Sequence, residues 1–149
     1  MKSFFFTALF LSMLVLTACN IFARPAPPSA TLPDDILAIY HKSGGIMGID
    51  DTLRVGQGGL LELTTRDAVN KTLKVDEAML VPLRNALQND FGKFDPLHQT
   101  AGNDQFIYQI TARDAQGNPK TVTTMDGAKH PQELGLIISM LDQLRAQVK

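Results

Sequence analysis

Alternation of apolar and polar residues predicts strands in the first half of the chain. An apolar, partly β-branched run covers residues 36–42 and ends at a small-residue segment. Two shorter runs, 52–55 and 60–65, alternate between polar and apolar positions and are separated by a glycine-rich turn at 56–59. Alternating runs joined by a short glycine turn are typical of a β-hairpin. We therefore predict a three-stranded meander over 36–65.

The spacing of apolar residues then becomes helical. Between Asp76 and Phe91 they recur every three or four positions, and Asp76 is suited to cap the first turn of a helix that Gly92 ends. Pro82 inside a regular helix would cost about 3 kcal/mol. The sequence favours a kink or a loose first turn there, and the alternative is a helix that becomes regular only near Pro82.

The last part of the chain predicts two more strands and a second helix. The strands cover 106–112 and 120–125, follow a polar loop at 95–105, and are joined by a turn at 114–119. The helix runs from Pro131 to Gln147. Its apolar stripe consists of Leu134, Ile137, Ile138, Leu141 and Leu144.

These elements follow one another in the order β-β-β-α-β-β-α. The most economical arrangement is an α+β fold, in which an antiparallel sheet of about five strands carries two helices packed on one face. The other face of such a sheet is expected to lie in water, which agrees with the polar positions that alternate with the apolar ones.

The N-terminal segment has the pattern of an export signal. Lys2 precedes an apolar run over 4–16, and Leu16-Thr17-Ala18-Cys19 is a lipobox, which is cut before a cysteine that becomes lipid-modified. Cys19 is the only cysteine of the chain. We predict a lipoprotein signal peptide over 1–18 and lipidation at Cys19. The alternative is cleavage after Ala18 to give a plain secreted protein.

A lipidated Cys19 places the mature protein outside the cytoplasm, anchored to a membrane by acyl chains. If the cell is Gram-negative, Asn20 in place of an aspartate favours the periplasmic side of the outer membrane. Residues 19–33 are rich in proline and alanine and are predicted to form a tether. Residues 34–149 suffice for a single domain.

The charged and nucleophilic residues of the domain indicate no chemistry. His41, His98 and His130 are too scattered for a metal site and are interpreted as a sheet residue, a loop residue and a helix-start residue. The acid pairs at 34–35 and 50–51 are interpreted as solvated loop acids. The chain has a net charge of -1 and no basic block, which argues against nucleic-acid binding. We predict no catalytic residue, no metal and no cofactor.

The connection after the first strand is unusual because apolar residues lie between glycines. It contains Ser43, Gly44, Gly45, Ile46, Met47, Gly48 and Ile49. One interpretation is that its apolar side chains fold back over the sheet edge and complete the core. The other is an exposed loop that enters a partner's cleft. Residue types alone favour the first interpretation.

This segment resembles a known family. Residues 43–49 are similar to the S-G-G-[FI]-x-G opening of emfourin-like proteins, and residues 104–108 are similar to their D-x-[FY]-x-[YF] strand. The resemblance also includes the hairpin at Gly58-Gly59, the helix around 80–87, residues 123–127 and the helix introduced by Pro131. It therefore covers nearly all of the domain, and the order of the short motifs carries it.

The resemblance implies an α+β fold and a protein that inhibits thermolysin-type zinc metalloproteases. Such an inhibitor would occlude the active-site cleft without chemistry of its own, through contacts of the loop at 43–49, and the zinc would belong to the protease. A hypothesis from a different class is a non-inhibitory envelope lipoprotein that contacts a membrane-protein assembly or a small ligand. A hydrolase would need an acid/base or nucleophile arrangement that the sequence does not contain.

Overall fold

The computed structural model describes residues 31–149, so the predicted signal peptide, Cys19 and most of the predicted tether lie outside the described residues. The described part contains a sheet of six strands and two α-helices. The α+β class is thus confirmed, with one strand more than expected. The strands are β1 (Ile36–Gly44), β2 (Ile49–Gly56), β3 (Leu60–Thr64), β4 (Asn70–Lys74), β5 (Phe106–Arg113) and β6 (Pro119–Met125), and the helices are α1 (Val81–Asp90) and α2 (Gln132–Val148).

The strands lie in the order β4-β3-β2-β1-β5-β6, and every neighbouring pair is antiparallel. β1 is therefore central in the sheet, which suits its apolar composition. Tyr40 of β1 is paired with Leu53 on one side and with Ile110 on the other, and all three side chains are buried. Their common face forms the core with the apolar stripes of both helices.

The strand that the sequence did not predict is β4, which pairs with β3 at the edge of the sheet. Its residues are Asn70-Lys71-Thr72-Leu73-Lys74, so only Leu73 carries an apolar signal. Edge strands commonly carry lysines, which discourage pairing with another chain. The polar composition that suits β4 to an edge position is also the reason that apolar alternation does not predict this strand.

The first helix begins in two steps around Pro82. Residues Glu77–Leu80 form a 3₁₀ turn, which Asp76 caps by accepting a hydrogen bond of 2.9 Å from the amide of Ala78. The α-helix then begins at Val81, so Pro82 lies in its first turn, where the missing backbone donor has no cost. The alternative expectation, a helix that becomes regular near Pro82, is therefore correct, and the loose first turn is the 3₁₀ segment.

The second helix packs its predicted stripe against the sheet. Leu134, Ile137, Leu141 and Leu144 are buried, and Ile138 is half-buried against the same core. The helix begins after Pro131 and includes one residue beyond the predicted end. Within residues 31–149, neither this helix nor any other has the length and apolar character needed to cross a membrane.

The packed domain begins slightly before Asp34. Leu32, which lies within the predicted tether, is buried, and its carbonyl oxygen accepts a hydrogen bond of 2.7 Å from the guanidinium of Arg113. The same guanidinium lies 2.6 Å from the Asp34 carboxylate. Because Arg113 ends β5, these contacts fix the chain at the end of the sheet where β1 begins.

A layer of charged residues replaces the apolar core at the opposite end of β1. Lys42 and Asp51 are paired across β1 and β2 and are both buried. Lys42 lies 2.9 Å from Asp142 of α2, and Asp51 lies 2.5 Å from Arg145 and 3.0 Å from Lys149. Arg145 also lies 3.1 Å from Asp142, which joins the pairs into one network. The charges that are withdrawn from water here are thus compensated.

The expectation that Asp51 is a solvated loop acid is wrong. Residue 51 lies within β2 and is only 3% exposed, because it follows the same alternation as Leu53 and Val55 on the helix-covered face. Its neighbour Asp50 points to the uncovered face and lies 2.6 Å from His41. The two adjacent acids therefore point to opposite faces of the sheet, as successive residues of a strand do.

The surroundings of Tyr40, which is buried, and of Tyr108, which is half-buried, predict that stability falls at alkaline pH. Burial, followed by the charge of the Asp142 carboxylate, raises the pKa of Tyr40; among the described residues no partner meets hydrogen-bond geometry with its hydroxyl, although this carboxylate lies close enough to act on it. Burial, followed by the hydrogen bond of 2.6 Å to Asp126, raises the pKa of Tyr108. Both tyrosines therefore keep their protons in the folded state at a pH where the unfolded chain loses them.

We expect the free energy of unfolding to fall as pH rises above about 10, the ordinary tyrosine pKa, by about 1.4 kcal/mol per pH unit for each tyrosine that stays protonated. Urea unfolding between about pH 9 and 11 measures this slope. Tyr40→Phe should reduce the slope and leave stability at neutral pH within about 1 kcal/mol, because its hydroxyl contributes little as a partner. An unchanged slope in Tyr40→Phe would contradict the assignment.

Candidate functional site

The predicted contact segment forms the turn of the β1–β2 hairpin. Pairing runs through Ser43 with Asp50 and Gly44 with Ile49, which leaves a connection of residues 45–48. The amide of Gly48 donates a hydrogen bond of 2.9 Å to the carbonyl oxygen of Gly45, so the connection is a closed β-turn. Ser43, Gly44 and Ile49 thus belong to the strands, and Ile46 and Met47 form the tip.

The two tip residues project into solvent. Ile46 is 91% exposed and Met47 is 85% exposed, the two highest values among the exposed large apolar side chains of the described residues. The interpretation that the apolar side chains of this loop complete the core is therefore wrong for Ile46 and Met47. Ile49 at the start of β2 is half-buried, so it belongs neither to the core nor to the fully exposed tip.

The glycines before the tip allow the loop to lie directly against the start of β5. The amide of Gly45 donates a hydrogen bond of 3.2 Å to the carbonyl oxygen of Gln105. A Cβ atom on Gly44 would lie 2.4 Å from that oxygen, and one on Gly45 would lie 2.4 Å from the ring of Phe106. Both glycines also have positive φ angles, of 93° and 69°. Side chains at these positions would push the loop away from β5.

Phe106 connects the base of the loop to the charged layer. The amino group of Lys42 lies 4.9 Å from the centre of the Phe106 ring and 5.2 Å from that of Tyr108. An ammonium group within about 6 Å of an aromatic face is attracted to it. Lys42 therefore holds the ring of Phe106 from one side, while Gly45 lies against the same ring.

The turn between β3 and β4 supports the loop from its other side. Arg66 in this turn donates a hydrogen bond of 3.2 Å to the carbonyl oxygen of Gly48. Ala68 has a φ of 55°, which is uncommon for a residue other than glycine, and the next residue, Val69, is an exposed apolar side chain. The tip of the hairpin is thus held by contacts with β5 and with the β3–β4 turn.

A groove of about 600 Å³ lies between the hairpin turn and the β3–β4 turn. Its apolar lining consists of Met47, Ile49 and Val69. Its basic lining consists of Arg66, Lys71 and Lys149, and Asp50, Asp51 and Asp67 are the acidic residues. The exposed tip and this groove form one continuous surface at the end of the sheet, since Met47 belongs to both.

Sequence reasoning missed the β3–β4 part of this surface. Arg66, Val69 and Lys71 belong to a polar stretch that showed no alternation, and only pairing of β4 with β3 brings them beside the hairpin. For Asp51 the sequence did contain a signal. This residue continues the alternation of Leu53 and Val55 toward the loop, which predicts that its side chain lies on the covered face of the sheet.

The structure places the three histidines at two separate locations. His41 lies 2.6 Å from Asp50 on the uncovered face, and Ser43 lies opposite Asp50, but in the described structure Ser43 makes no hydrogen bond with either side chain. The fold brings the rings of His98 and His130 to within 6.4 Å, a proximity that the sequence did not reveal. Across residues 31–149, no group of three or more histidine, cysteine, aspartate or glutamate side chains could hold a metal ion.

The described surface is characterised by exposed apolar area on a backbone that hydrogen bonds hold in place. Two apolar side chains project from a turn that is hydrogen-bonded within itself and to its neighbours. Such a turn suits insertion into a concave partner. Comparison with known proteins adds no relative, because no protein-family model, no curated protein and no solved structure matches this chain.

Proposed function

We propose that this protein inhibits a thermolysin-type metalloprotease by inserting the hairpin tip into the active-site cleft. The observation that carries the proposal is the exposure of Ile46 and Met47 at the tip of a turn with a fixed backbone. The similarity of residues 43–49 to the emfourin-like opening motif gives the class of partner. The domain would act as a plug, and the catalytic zinc would be the protease's own.

The fixed backbone of the turn would favour tight binding. An ordered loop loses little conformational entropy on binding, so more of its contact energy appears as affinity. The turn hydrogen bond of Gly48 and the bond from Gly45 to Gln105 provide this order. Burial of Ile46 or Met47 in an apolar subsite would supply about 1.5–3 kcal/mol for each side chain that is fully covered.

A titration against the protease tests the proposal. The mature chain with Cys19→Ser, which has no sulfur to lipidate, would be added in increasing amounts to thermolysin and to a protease of an unrelated zinc family. We expect dose-dependent loss of thermolysin activity and no effect on the second enzyme. Cleavage of the chain, or full activity at a large excess, would exclude inhibition and leave a non-inhibitory envelope-binding function.

We also propose that lipid at Cys19 holds the protein on a membrane outside the cytoplasm. The lipobox at 16–19 supports this proposal, and several acyl chains give stable anchoring because each buried methylene contributes about 0.8 kcal/mol. In cells supplied with labelled palmitate, the wild-type chain should take up label and remain with the membranes. Cys19→Ser should take up none and be released by washing. Equal labelling of both would contradict the assignment.

A further inference from the structure

We infer that Met47 is an oxidation site, at which a peroxide converts the hairpin tip from an apolar to a polar surface. The sulfur lone pair of Met47 attacks one oxygen of hydrogen peroxide, the O–O bond breaks, and a proton moves to the departing oxygen. Methionine sulfoxide and water form, so the sulfur is oxidised by two electrons and the peroxide is reduced. The site itself is independent of the proposed function, whereas its effect on inhibition rests on that function.

The first support is the accessibility of the thioether group. Met47 is 85% exposed and Met79 is 50% exposed, whereas Met125 and Met140 are half-buried. A peroxide molecule must reach the sulfur before it can react, so accessibility ranks these side chains. Among the methionines of the described residues, Met47 should therefore react first.

The second support is that the tip can change polarity while the fold stays intact. Met47 is not among the residues packed in the core. The turn that carries it is closed by the hydrogen bond from the Gly48 amide to the Gly45 carbonyl oxygen, and Gly45 is bonded in turn to the Gln105 carbonyl oxygen. These bonds join backbone atoms, so oxidation of a side chain does not remove them. The sulfoxide would be presented on the same ordered backbone.

Oxidation changes what a partner has to bury. The thioether of methionine is apolar and adapts its shape to a pocket, whereas the sulfoxide is polar. Burial of a polar group without a hydrogen-bond partner is unfavourable, so an apolar subsite that accepts Met47 would bind the oxidised side chain more weakly. Reduction of the sulfoxide would restore the apolar tip. Inhibition would thus depend on the oxidants present in the compartment outside the cytoplasm.

Met79 provides an internal comparison on another part of the surface. It belongs to the 3₁₀ turn before α1 and is exposed, but less so than Met47. It lines a surface depression with Met140 and Leu144 of α2, and this depression includes none of the tip residues. Oxidation of Met79 should therefore leave inhibition unchanged.

Peptide mass spectrometry tests the oxidation site without a protease. The mature Cys19→Ser chain would be treated with limiting hydrogen peroxide, and the sulfoxide at each methionine would be quantified over time. We expect Met47 sulfoxide to form faster than Met79 sulfoxide, and the melting temperature to stay within experimental error when Met47 is oxidised. Equal or faster oxidation of Met79, or unfolding on oxidation of Met47, would overturn the inference whether or not the protein inhibits a protease.

The inhibition constant, measured before peroxide treatment and after removal of the peroxide, tests the consequence. For the wild-type tip we expect it to rise about tenfold on oxidation and to recover after treatment with methionine sulfoxide reductases. Met47→Leu has no sulfur at the tip, so its constant should be the same before and after peroxide, whatever the starting value. Met79→Leu keeps the tip sulfur and should respond as the wild type does.

The outcomes separate this inference from the proposed function. If the wild-type chain inhibits equally well before and after Met47 is oxidised, or if Met47→Leu loses inhibition on oxidation as the wild type does, the effect assigned to Met47 is overturned and the proposed function stands. A chain that fails to inhibit before any peroxide is added overturns the proposed function and the effect on inhibition together. In that case the mass spectrometric comparison of Met47 with Met79 still decides the oxidation site.

Discussion

Replacing either tip residue by aspartate should weaken inhibition about 30-fold or more without unfolding the domain. Ile46 and Met47 are almost fully exposed, so Ile46→Asp and Met47→Asp remove no core contact and the melting temperature should stay within experimental error. In the complex, however, each variant would bury a carboxylate in an apolar subsite. We expect a loss of at least about 2 kcal/mol, or about 30-fold in the inhibition constant, as for a residue at the centre of an interface.

A matched control is available on the second helix. Leu136 of α2 is 56% exposed and lines a surface depression with Pro82 and Ala86 of α1, so Leu136→Asp makes the same kind of change on a surface that should not contact the protease. Inhibition by this variant should equal that of the wild type. If all three variants inhibit normally, the tip does not enter the cleft, and the exposure of Ile46 and Met47 no longer supports the proposed function.

The charged layer under the hairpin should contribute strongly to stability. Arg145→Met removes the cation that lies 2.5 Å from the carboxylate of Asp51, which is 3% exposed. Removal of one partner of a buried pair costs about 3–5 kcal/mol, because the remaining charge stays out of water. Since Lys149 still lies 3.0 Å from Asp51, we expect a value near the lower end of this range.

The same substitution at an exposed pair provides the comparison. Arg54 lies 3.3 Å from Glu62 on the uncovered face, and both side chains are more than 40% exposed. Arg54→Met should therefore cost less than about 1 kcal/mol. Urea unfolding of both variants measures the difference directly. Similar losses from the two substitutions would show that the Asp51 pair is hydrated and that the layer does not behave as a buried network.

Local sequence patterns were sufficient for the elements that bury one face. The stripe of α2, with Leu134, Ile137 and Leu141, is repeated at helical spacing, and the strand at 106–112 alternates cleanly, so both were predicted within one or two residues. The first turn of α1 was less certain because Pro82 permits more than one helix start. The structure resolves it by placing the proline where a helix needs no donor.

The features that were not predicted depend on partners far along the chain. Asp51 continues the local alternation of Leu53 and Val55, but the cation that compensates its buried charge, Arg145, lies 94 residues later, and no local pattern identifies it. The exposure of Ile46 and Met47 likewise depends on Gln105 and Phe106 holding the backbone of the preceding glycines. Residue types around the loop are compatible with core or surface, so only the three-dimensional arrangement separates the two.

β1 separates the point where the chain enters the domain from the hairpin tip. The chain enters the domain at Leu32, beside the beginning of β1, and the hairpin tip follows the end of the same strand. Nine residues of extended backbone separate the two points, which corresponds to about 30 Å. Leu32, where the described chain enters the packed domain, therefore lies at one pole, and Ile46 and Met47 lie at the other. If lipid at Cys19 anchors the protein as proposed, the attachment would reach the domain through Leu32, at the end opposite the tip, and Ile46 and Met47 would be open to molecules in the aqueous compartment.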